Sequence, residues 1–155
     1  MKSVMFVCLG NICRSPMAHG IFRDKAQKKG LKVHIESSGT SGFHVGEHAD
    51  PRSISTLRSK GIDILDLRSR KFDFVDFKDY DFIFTMDQQN QSDVLRMAKA
   101  ANSQNTPEMI MNLSHPGENI SVPDPYYGGT TGFEDVYQML DESLDVLIEK
   151  IENLQ

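Results

Sequence analysis

The chain has 155 residues, the usual length of one domain. It is 39% hydrophobic and 25% charged, which is the balance of an ordinary globular protein and excludes a disordered one. The formal net charge of −5, from 17 basic and 22 acidic residues, argues against nucleic acid as a partner, because binding to its phosphates needs a basic face. No apolar run approaches the roughly 20 residues that span a membrane, and Met1–Ser3 leads into a strand-like run without a secretory signal pattern. We therefore expect one domain over residues 1–155, no membrane insertion and a cytoplasmic location.

The first elements are predicted by an apolar run and a helix-start signal. The continuous run Val4–Val7 predicts a strand that is buried on both faces of a parallel sheet. Ser15 followed by Pro16 predicts a helix that starts with Ser15 as its N-cap, and Gly30 is the expected end of that helix. A second strand is predicted over Val33–Ser37.

The rest of the chain alternates between strands and helices in the same way. The patterns predict, in order, a loop over 39–50, a helix over 51–60, a strand over 80–86, a helix over 88–100 capped by Asp87, a strand over 109–113, a turn-rich segment over 114–132 that includes Gly128 and Gly129, and a final helix. The final helix has apolar residues at steps of three and four: Phe133, Val136, Leu140, Leu144, Leu147 and Ile151. The chain is thus predicted to be an α/β protein with one three-layer domain, in which helices cover both faces of a four-stranded parallel sheet.

The segment between the first strand and the first helix has the composition of an anion site. It reads Cys8-Leu9-Gly10-Asn11-Ile12-Cys13-Arg14-Ser15. Ligands in such folds lie at the carboxyl ends of the strands, where this loop is expected. Gly10 and Asn11 tolerate left-handed backbone angles, so successive N–H groups can turn inward next to the positive end of the helix. Arg14 can hold two phosphate oxygens with its planar fork. We therefore expect a phosphate-binding loop after the first strand.

Cys8 would lie at the bottom of this loop, where the same donors stabilise a thiolate. A thiolate beneath a bound phosphoryl group is a nucleophile for phosphorus, and the Ser15 hydroxyl can hydrogen-bond to it. From the residues alone, two alternatives in which Cys8 has no catalytic role remain open. Cys8 could be a small buried residue at the end of a strand, or an incidental cysteine in a loop that only binds an anion. The two cysteines, Cys8 and Cys13, make neither a disulfide framework nor a zinc site, so no metal and no cofactor are expected.

The loop resembles the low-molecular-weight protein tyrosine phosphatases, whose signature is C-x5-R-[ST]. The match extends over Val7–Pro16, and the second signature of that family appears as Asp124-Pro125-Tyr126-Tyr127. Smaller matches are Ser38-Gly39, Asp50-Pro51-Arg52 and Met86-Asp87. The resemblance covers essentially the whole chain.

The resemblance implies a role for three side chains. Cys8 would be the nucleophile that forms a phosphocysteine intermediate, and Arg14 would clamp the phosphate. Asp124 would act as general acid and then as general base, although an aspartate before proline also suits a simple turn. The remaining loop residues would bind the phosphate: Leu9, Gly10, Asn11, Ile12, Cys13 and Ser15.

The resemblance also implies two aromatic cleft walls, Phe43 and Tyr126, that select phosphotyrosine over phosphoserine. The alternative for Phe43, a loop residue that packs on the core, is only slightly less favoured. Tyr127 is either a rim residue or a target of phosphorylation. Ser38 would join Asn11 in a hydrogen-bond network that reaches Ser15. The implied substrate is a phosphotyrosine protein, with inorganic phosphate and similar oxyanions as inhibitors and a monomer or weak dimer as the assembly.

At two positions the sequence departs from the family pattern. Leu67 stands where the family usually has a histidine that completes the network around the loop. His19 stands where the family commonly has a glutamate, and we expect it to be a partly exposed residue of the first helix.

Three other functions compete with that of a phosphatase. An arsenate reductase of the same fold relays a disulfide through downstream cysteines, and this chain has none after Cys13. Arg14 and Asp124 argue against a phosphocysteine carrier of the sugar phosphotransferase type, because such a carrier should not promote hydrolysis of its own phosphocysteine. A phosphotyrosine-binding module would not need Cys8. Finally, Cys8 and Cys13 are close enough in sequence to suggest redox control through a disulfide between them.

Overall fold

Four parallel strands form the centre of the computed structural model, which describes residues 1–127 and 130–155. The strands are β1 (Lys2–Cys8), β2 (Val33–Gly39), β3 (Phe82–Thr85) and β4 (Glu108–Met109), in the spatial order β2-β1-β3-β4. β1 is therefore central, and its last residue, Cys8, lies opposite Gly39 of β2. The predicted turn residues Gly128 and Gly129 lie outside the described residues.

Helices cover both faces of this sheet. They are α1 (Arg14–Lys28), α2 (Pro51–Arg58), α3 (Asp76–Asp79), α4 (Gln88–Ala100) and α5 (Thr130–Glu152), with 3-10 turns at Ile110–Asn112 and Pro125–Tyr127. Alternate residues of β1 point into two separate cores. Phe6 belongs to the core under α1 and α5, whereas Met5 belongs to the core that includes Val94 of α4.

This architecture confirms the predicted three-layer α/β fold. The six apolar residues that predicted the last helix are all buried in the core of α5: Phe133, Val136, Leu140, Leu144, Leu147 and Ile151. Gly30 and Gly61, which follow α1 and α2, have positive φ angles of 64° and 78°. Among the helices of the described ranges, none is both long and apolar enough to cross a membrane.

Two predicted boundaries are wrong. α1 begins at Arg14 with Cys13 as its N-cap, so Ser15 lies inside the first turn instead of capping it. The first four N–H groups of a helix lack helical partners, so Pro16 is tolerated there as well, and the start signal could not fix the exact residue. The strand predicted over 109–113 stops at Met109, where a 3-10 turn buries the following apolar residues against α5. A short apolar run does not distinguish these two structures.

The prediction for His19 is also wrong, because this side chain is buried with an exposed fraction of 5%. Its Nδ1 lies 3.1 Å from Oγ of Ser37 in β2. Burial, helped by the nearby charge of Arg23, lowers the pKa of His19 to about 4, so the ring is neutral at pH 7. α1 is contacted by the sheet, by α2 and by α5, and this enclosure leaves His19 no exposed face.

Candidate active site

The carbonyl groups of the Cys8–Ser15 loop point away from its centre, because groups outside the loop donate to them. The donors are Thr40 N–H to Cys8 O at 2.9 Å, Ser41 N–H to Leu9 O at 2.9 Å, Ser69 Oγ to Gly10 O at 3.0 Å, Asp50 N–H to Ile12 O at 2.7 Å and Ser53 Oγ to Cys13 O at 3.3 Å. In a planar trans peptide the N–H group points opposite to the carbonyl group. The loop N–H groups therefore face the centre, which is the arrangement that binds an anion.

Four of these N–H groups are free to bind a ligand. Within the described part of the chain, those of Gly10, Ile12, Cys13 and Arg14 donate to no protein acceptor. The last two also lie at the positive end of α1, whose dipole favours an anion. The geometry agrees with the predicted phosphate-binding loop.

Asn11 holds the loop in shape through its backbone and its side chain. Its φ angle of 56° is left-handed, which turns the chain back on itself. Its Oδ1 accepts from the backbone N–H of Arg70 at 3.0 Å, and its Nδ2 donates to Ser15 Oγ at 2.7 Å. Ser69 and Arg70 thus support the loop from the segment that follows Leu67, the position of the missing histidine.

Gly39 allows β2 to approach the loop closely. A Cβ atom at this position would lie 2.6 Å from the Leu9 carbonyl oxygen and 3.0 Å from the Asn11 nitrogen. Both neighbours are backbone atoms, so they cannot move aside as a flexible side chain would. Only glycine fits between β2 and the loop.

The sulfur of Cys8 is buried and lies within hydrogen-bond distance of two groups. The Asn11 N–H donates to Sγ at 3.3 Å, and Ser15 Oγ lies 3.0 Å from Sγ. The side-chain amide of Asn11 donates to Ser15 Oγ, so the single hydroxyl hydrogen of Ser15 must point to another acceptor. The two acceptors within reach are Sγ of Cys8 and the Ser38 carbonyl, 3.3 Å away. Such donors stabilise a thiolate. Ser38 joins the predicted network through its carbonyl group, while its hydroxyl donates to the sulfur of Met5.

Arg14 is buried at the edge of the same loop and is fixed by two acceptors. Its Nη1 donates to Asp87 Oδ2 at 2.6 Å and to the Val122 carbonyl at 2.9 Å, and its Nη2 lies 3.7 Å from Asp124 Oδ2. Burial opposes the charge of Arg14, but Cys8 and Asp87 outweigh it and raise the pKa of the guanidinium. Arg14 is therefore a fixed positive charge next to the Cys8 sulfur.

Asp87 is a site residue for which the sequence predicted a helix cap and a match to the family pattern, but not a contact with Arg14. Its Oδ1 does cap α4, accepting from Asn90 N–H at 2.7 Å, as predicted. Its other oxygen accepts from Arg14. The available signal was its position two residues after the end of β3, since the carboxyl ends of parallel strands meet at one edge of the sheet.

Asp124 lies at the rim of the site with a side chain that is 37% exposed. Its Oδ1 accepts from the backbone N–H of Tyr126 at 3.0 Å. This hydrogen bond closes a local turn that contains Pro125. Its Oδ2 is the atom near Arg14. Asp124 thus forms the turn that its position before proline predicts, and its carboxylate also lines the cleft.

A cleft of about 290 Å³ opens above the Cys8 sulfur. It brings together ten of the thirteen predicted site residues, whereas Asn11, Ser15 and Ser38 do not line it. The lining residues are Cys8, Leu9, Gly10, Ile12, Cys13, Arg14, Ser41, Phe43, His44, Asp124, Tyr126 and Tyr127. Phe43 is 87% exposed, so it stands free at the rim instead of packing on the core. The rings of Tyr126 and Tyr127 meet edge to face, with centroids 5.0 Å apart, at the other side.

Two further residues of the cleft lie close to the Cys8–Ser15 loop or within it. The ring of His44 covers Gly10, where an added Cβ would lie 3.0 Å from the ring. Cys13 is buried, and burial together with the charges of Asp50 and Cys8 raises the pKa of its thiol to about 12. Cys13 is therefore a protonated thiol at rest.

The comparison with protein families agrees with this geometry. The family model described as low molecular weight phosphotyrosine protein phosphatase matches residues 3–155. A protein of that name from Schizosaccharomyces pombe is 43% identical over 148 residues, which cover 93% of this chain and 94% of the relative. The human protein of the same name is 33% identical over 151 residues, covering 96% and 95% of the two chains.

Solved structures of similar fold cover nearly the whole chain. YfkJ from Bacillus subtilis superposes with a TM-score of 0.91 at 38% identity, covering 100% of this chain and 97% of its own. A protein tyrosine phosphatase from Entamoeba histolytica with Hepes in its active site gives 0.90 at 35% identity, covering 99% and 98%. DARP, a Drosophila arginine phosphatase, gives 0.88 at 29% identity, covering 97% and 98%.

The fit of Gly39 against the loop leads to a first prediction. Gly39→Ala should weaken the binding of inorganic phosphate about tenfold or more, because roughly 1.4 kcal/mol of strain in the loop corresponds to a factor of ten in affinity. Isothermal titration calorimetry measures this change. The matched control is Gly42→Ala, whose Cβ would make only ordinary contacts with the side chains of Lys71 at 3.6 Å and Val45 at 4.0 Å, and which should bind phosphate normally. Equal phosphate affinities of the two variants would show that the close approach of β2 does not shape the anion site.

Proposed function

Since the chain belongs to the low molecular weight phosphotyrosine protein phosphatase family, we propose that it hydrolyses phosphotyrosine in proteins, and small aryl phosphates, through a phosphocysteine on Cys8. The observation that supports this most is that the Cys8 sulfur, the Arg14 guanidinium and the Asp124 carboxylate line one cleft above inward-facing N–H groups. These are a nucleophile, a phosphate clamp and an acid.

In the first step the phosphoryl group of the substrate lies in the loop. Inward N–H groups and the Arg14 guanidinium neutralise its oxygens, while the Cys8 thiolate attacks phosphorus. A sulfur–phosphorus bond forms and the bond from phosphorus to the phenolic oxygen breaks. The protonated carboxyl of Asp124 gives its proton to that oxygen, so tyrosine leaves as a neutral phenol.

In the second step water hydrolyses the phosphocysteine. The Asp124 carboxylate takes a proton from the water as its oxygen attacks phosphorus, and the sulfur–phosphorus bond breaks. The leaving thiolate is stabilised by the Asn11 N–H and by the Ser15 hydroxyl, which lie at 3.3 and 3.0 Å from Sγ. Inorganic phosphate is the product, so it and similar oxyanions should inhibit by occupying the same loop.

The cleft walls support an aryl substrate. Leu9 and Ile12 on the loop side and Phe43 and Tyr126 at the rim give a phenyl ring apolar and aromatic contact. Cys8 lies at the bottom of the cleft and is only 2% exposed, so a substrate must carry its phosphate on a side chain long enough to reach down to it. Tyrosine phosphate reaches farther than serine phosphate, which favours phosphotyrosine.

Phosphoarginine is the competing substrate, because one protein of similar structure is the Drosophila arginine phosphatase DARP. A guanidinium leaving group calls for a carboxylate beside it, and Asp124 is a carboxylate of the cleft. Rates on a phosphotyrosine peptide and on the same peptide with phosphoarginine decide between the two. We expect the phosphotyrosine peptide to react faster.

The nucleophile assignment is tested by Cys8→Ser. This variant should lose turnover of p-nitrophenyl phosphate but still bind inorganic phosphate, because serine keeps the shape of the site and is a far weaker nucleophile at neutral pH. Arg14→Lys should be nearly as inactive, since an ammonium cannot reproduce the two-point contact of the fork. Residual activity of Cys8→Ser above about one per cent of wild type would contradict a covalent intermediate on this residue.

The acid role is tested by Asp124→Asn across a series of aryl phosphates. The variant should lose roughly 10²- to 10⁴-fold in kcat/KM with phenyl phosphate, whose leaving group needs the proton, and much less with p-nitrophenyl phosphate. The measurement is the slope of log kcat/KM against the pKa of the leaving phenol, because kcat/KM reports the first step alone and hydrolysis of the phosphocysteine is common to all substrates. A slope equal to that of the wild type would remove Asp124 from this role.

We also propose that Cys13 protects Cys8 during oxidation. Peroxide converts the Cys8 thiolate to a sulfenic acid, and the Cys13 thiol then displaces water from it to form a disulfide. Oxidation removes the negative charge of Cys8, one of the causes that raise the pKa of Cys13, so the second thiol becomes easier to ionise.

Cys13→Ser should keep most turnover but recover less activity than wild type when dithiothreitol follows a peroxide pulse. Mass spectrometry of the oxidised wild type should show a peptide that links Cys8 to Cys13. Full recovery of the variant, without any linked peptide in the wild type, would leave Cys13 as a structural residue only.

A further inference from the structure

Arg52, near the start of α2, connects the two loops that carry the candidate catalytic groups. Its Nε and Nη2 donate to the two oxygens of Asp50, each at 3.0 Å. Its Nη1 donates to the carbonyl oxygen of Tyr126 at 3.1 Å. One guanidinium thus bonds to a residue beside the Cys8–Ser15 loop and to a residue of the Asp124 turn.

The Asp50 end of this connection is attached to the Cys8–Ser15 loop. The backbone N–H of Asp50 donates to the Ile12 carbonyl at 2.7 Å, and Ser53 of the same helix bonds to the Cys13 carbonyl at 3.3 Å. The Asp50 carboxylate also caps α2, accepting from the Arg52 N–H at 2.8 Å. It is only 8% exposed, so its position is well defined by the surrounding structure.

The other end of the connection reaches Asp124 through a single residue. The carbonyl of Tyr126 accepts from Arg52, and the N–H of Tyr126 donates to Asp124 Oδ1 at 3.0 Å. The guanidinium also lies 5.3 Å from the centre of the Tyr126 ring and 4.7 Å from that of Phe133 in α5. Both backbone groups of Tyr126 are therefore hydrogen-bonded: its carbonyl group to Arg52, and its N–H group to Asp124, the candidate acid.

We propose that Arg52 is a positioning residue that fixes the Asp124 carboxyl relative to the Cys8 sulfur. This inference rests on the function proposed above, because it concerns proton transfer from Asp124. The carboxyl is on an exposed turn outside any α-helix or strand, whereas proton donation needs a well-defined distance to the leaving oxygen. Arg52 supplies that definition by bonding the turn to the helix that also bonds to the nucleophile loop.

The chemistry of this position requires a guanidinium. The side chain must meet two carboxylate oxygens and one carbonyl oxygen in different directions while its plane stacks on aromatic rings. An ammonium at the same place has no fixed plane and can satisfy only part of this set. Arg52→Lys should therefore be intermediate between wild type and Arg52→Met.

The first experiment compares Arg52→Met with wild type on phenyl phosphate and on p-nitrophenyl phosphate. We expect kcat/KM, which reports the leaving-group step alone, to fall by roughly 10- to 100-fold on phenyl phosphate, because a displacement of about 1 Å has such a cost, and only a few-fold on p-nitrophenyl phosphate. The inhibition constant of inorganic phosphate should stay within about twofold, since Arg14 and the loop are intact.

The matched control is Arg23→Met. Arg23 also donates to both oxygens of an aspartate, Asp66 at 2.8 and 2.9 Å, and to a carbonyl, that of Asp63 at 3.0 Å. It does not line the cleft. This control removes a similar ion pair elsewhere and should leave both aryl phosphates unaffected, so a general loss of stability is separated from a loss of positioning.

The second experiment is a double-mutant cycle with Asp124→Asn. If Arg52 acts through Asp124, then Arg52→Met should add little to the loss on phenyl phosphate in the Asp124→Asn background. Additive losses, or equal losses of Arg52→Met on both substrates, would overturn the proposal. A wild-type enzyme without any turnover would instead overturn the proposed function and this inference with it. If Arg52→Met does not fold, Arg52→Lys enters the same cycle with the same two outcomes.

Discussion

The site depends on one constraint. Each carbonyl group that points outward from the Cys8–Ser15 loop needs a hydrogen-bond donor from another part of the chain. Without those donors the peptide groups would be free to rotate, and the loop would present a mixture of N–H and C=O groups to its centre. The donors come from the ends of β2 and α2 and from the segment around Ser69. The binding of an anion at the centre is therefore prepared by contacts that lie entirely on the outside of the loop.

The same outer contacts explain why elements far apart in sequence contribute to one site. β2 must end in a residue without a side chain, because Gly39 touches the loop backbone. α2 must start beside the loop, because its first residues donate to two of the carbonyls. Arg14 is held in turn by Asp87 at the start of α4 and by the Val122 carbonyl. The sheet places all of these groups at the carboxyl ends of its strands, where they meet.

Much of this organisation could be predicted from the sequence, and the failures have identifiable reasons. The fold followed from the alternation of apolar runs, and the loop followed from the spacing of Cys8, Gly10 and Arg14. His19 was misjudged because a helix enclosed on several sides has no exposed face, and sequence periodicity does not show which neighbours will cover it. Asp87 and Arg52 were visible as matches to a known pattern, but their roles arise from contacts to residues 73 and 74 positions away. Such long-range pairings are set by the packing of whole elements.

The single hydrogen of the Ser15 hydroxyl has a consequence for the energetics of the proposed cycle. It has two competing acceptors, the Cys8 sulfur and the Ser38 carbonyl. A thiolate is the stronger of these acceptors, whereas a sulfur bonded to phosphorus is a weak one, so the hydrogen should return to the carbonyl while the intermediate exists. The hydroxyl then stabilises the beginning and the end of the cycle but not its middle. A group that binds in this differential way lowers the barrier to breakdown of the intermediate without stabilising the intermediate itself, and so keeps the enzyme from resting in its phosphorylated form.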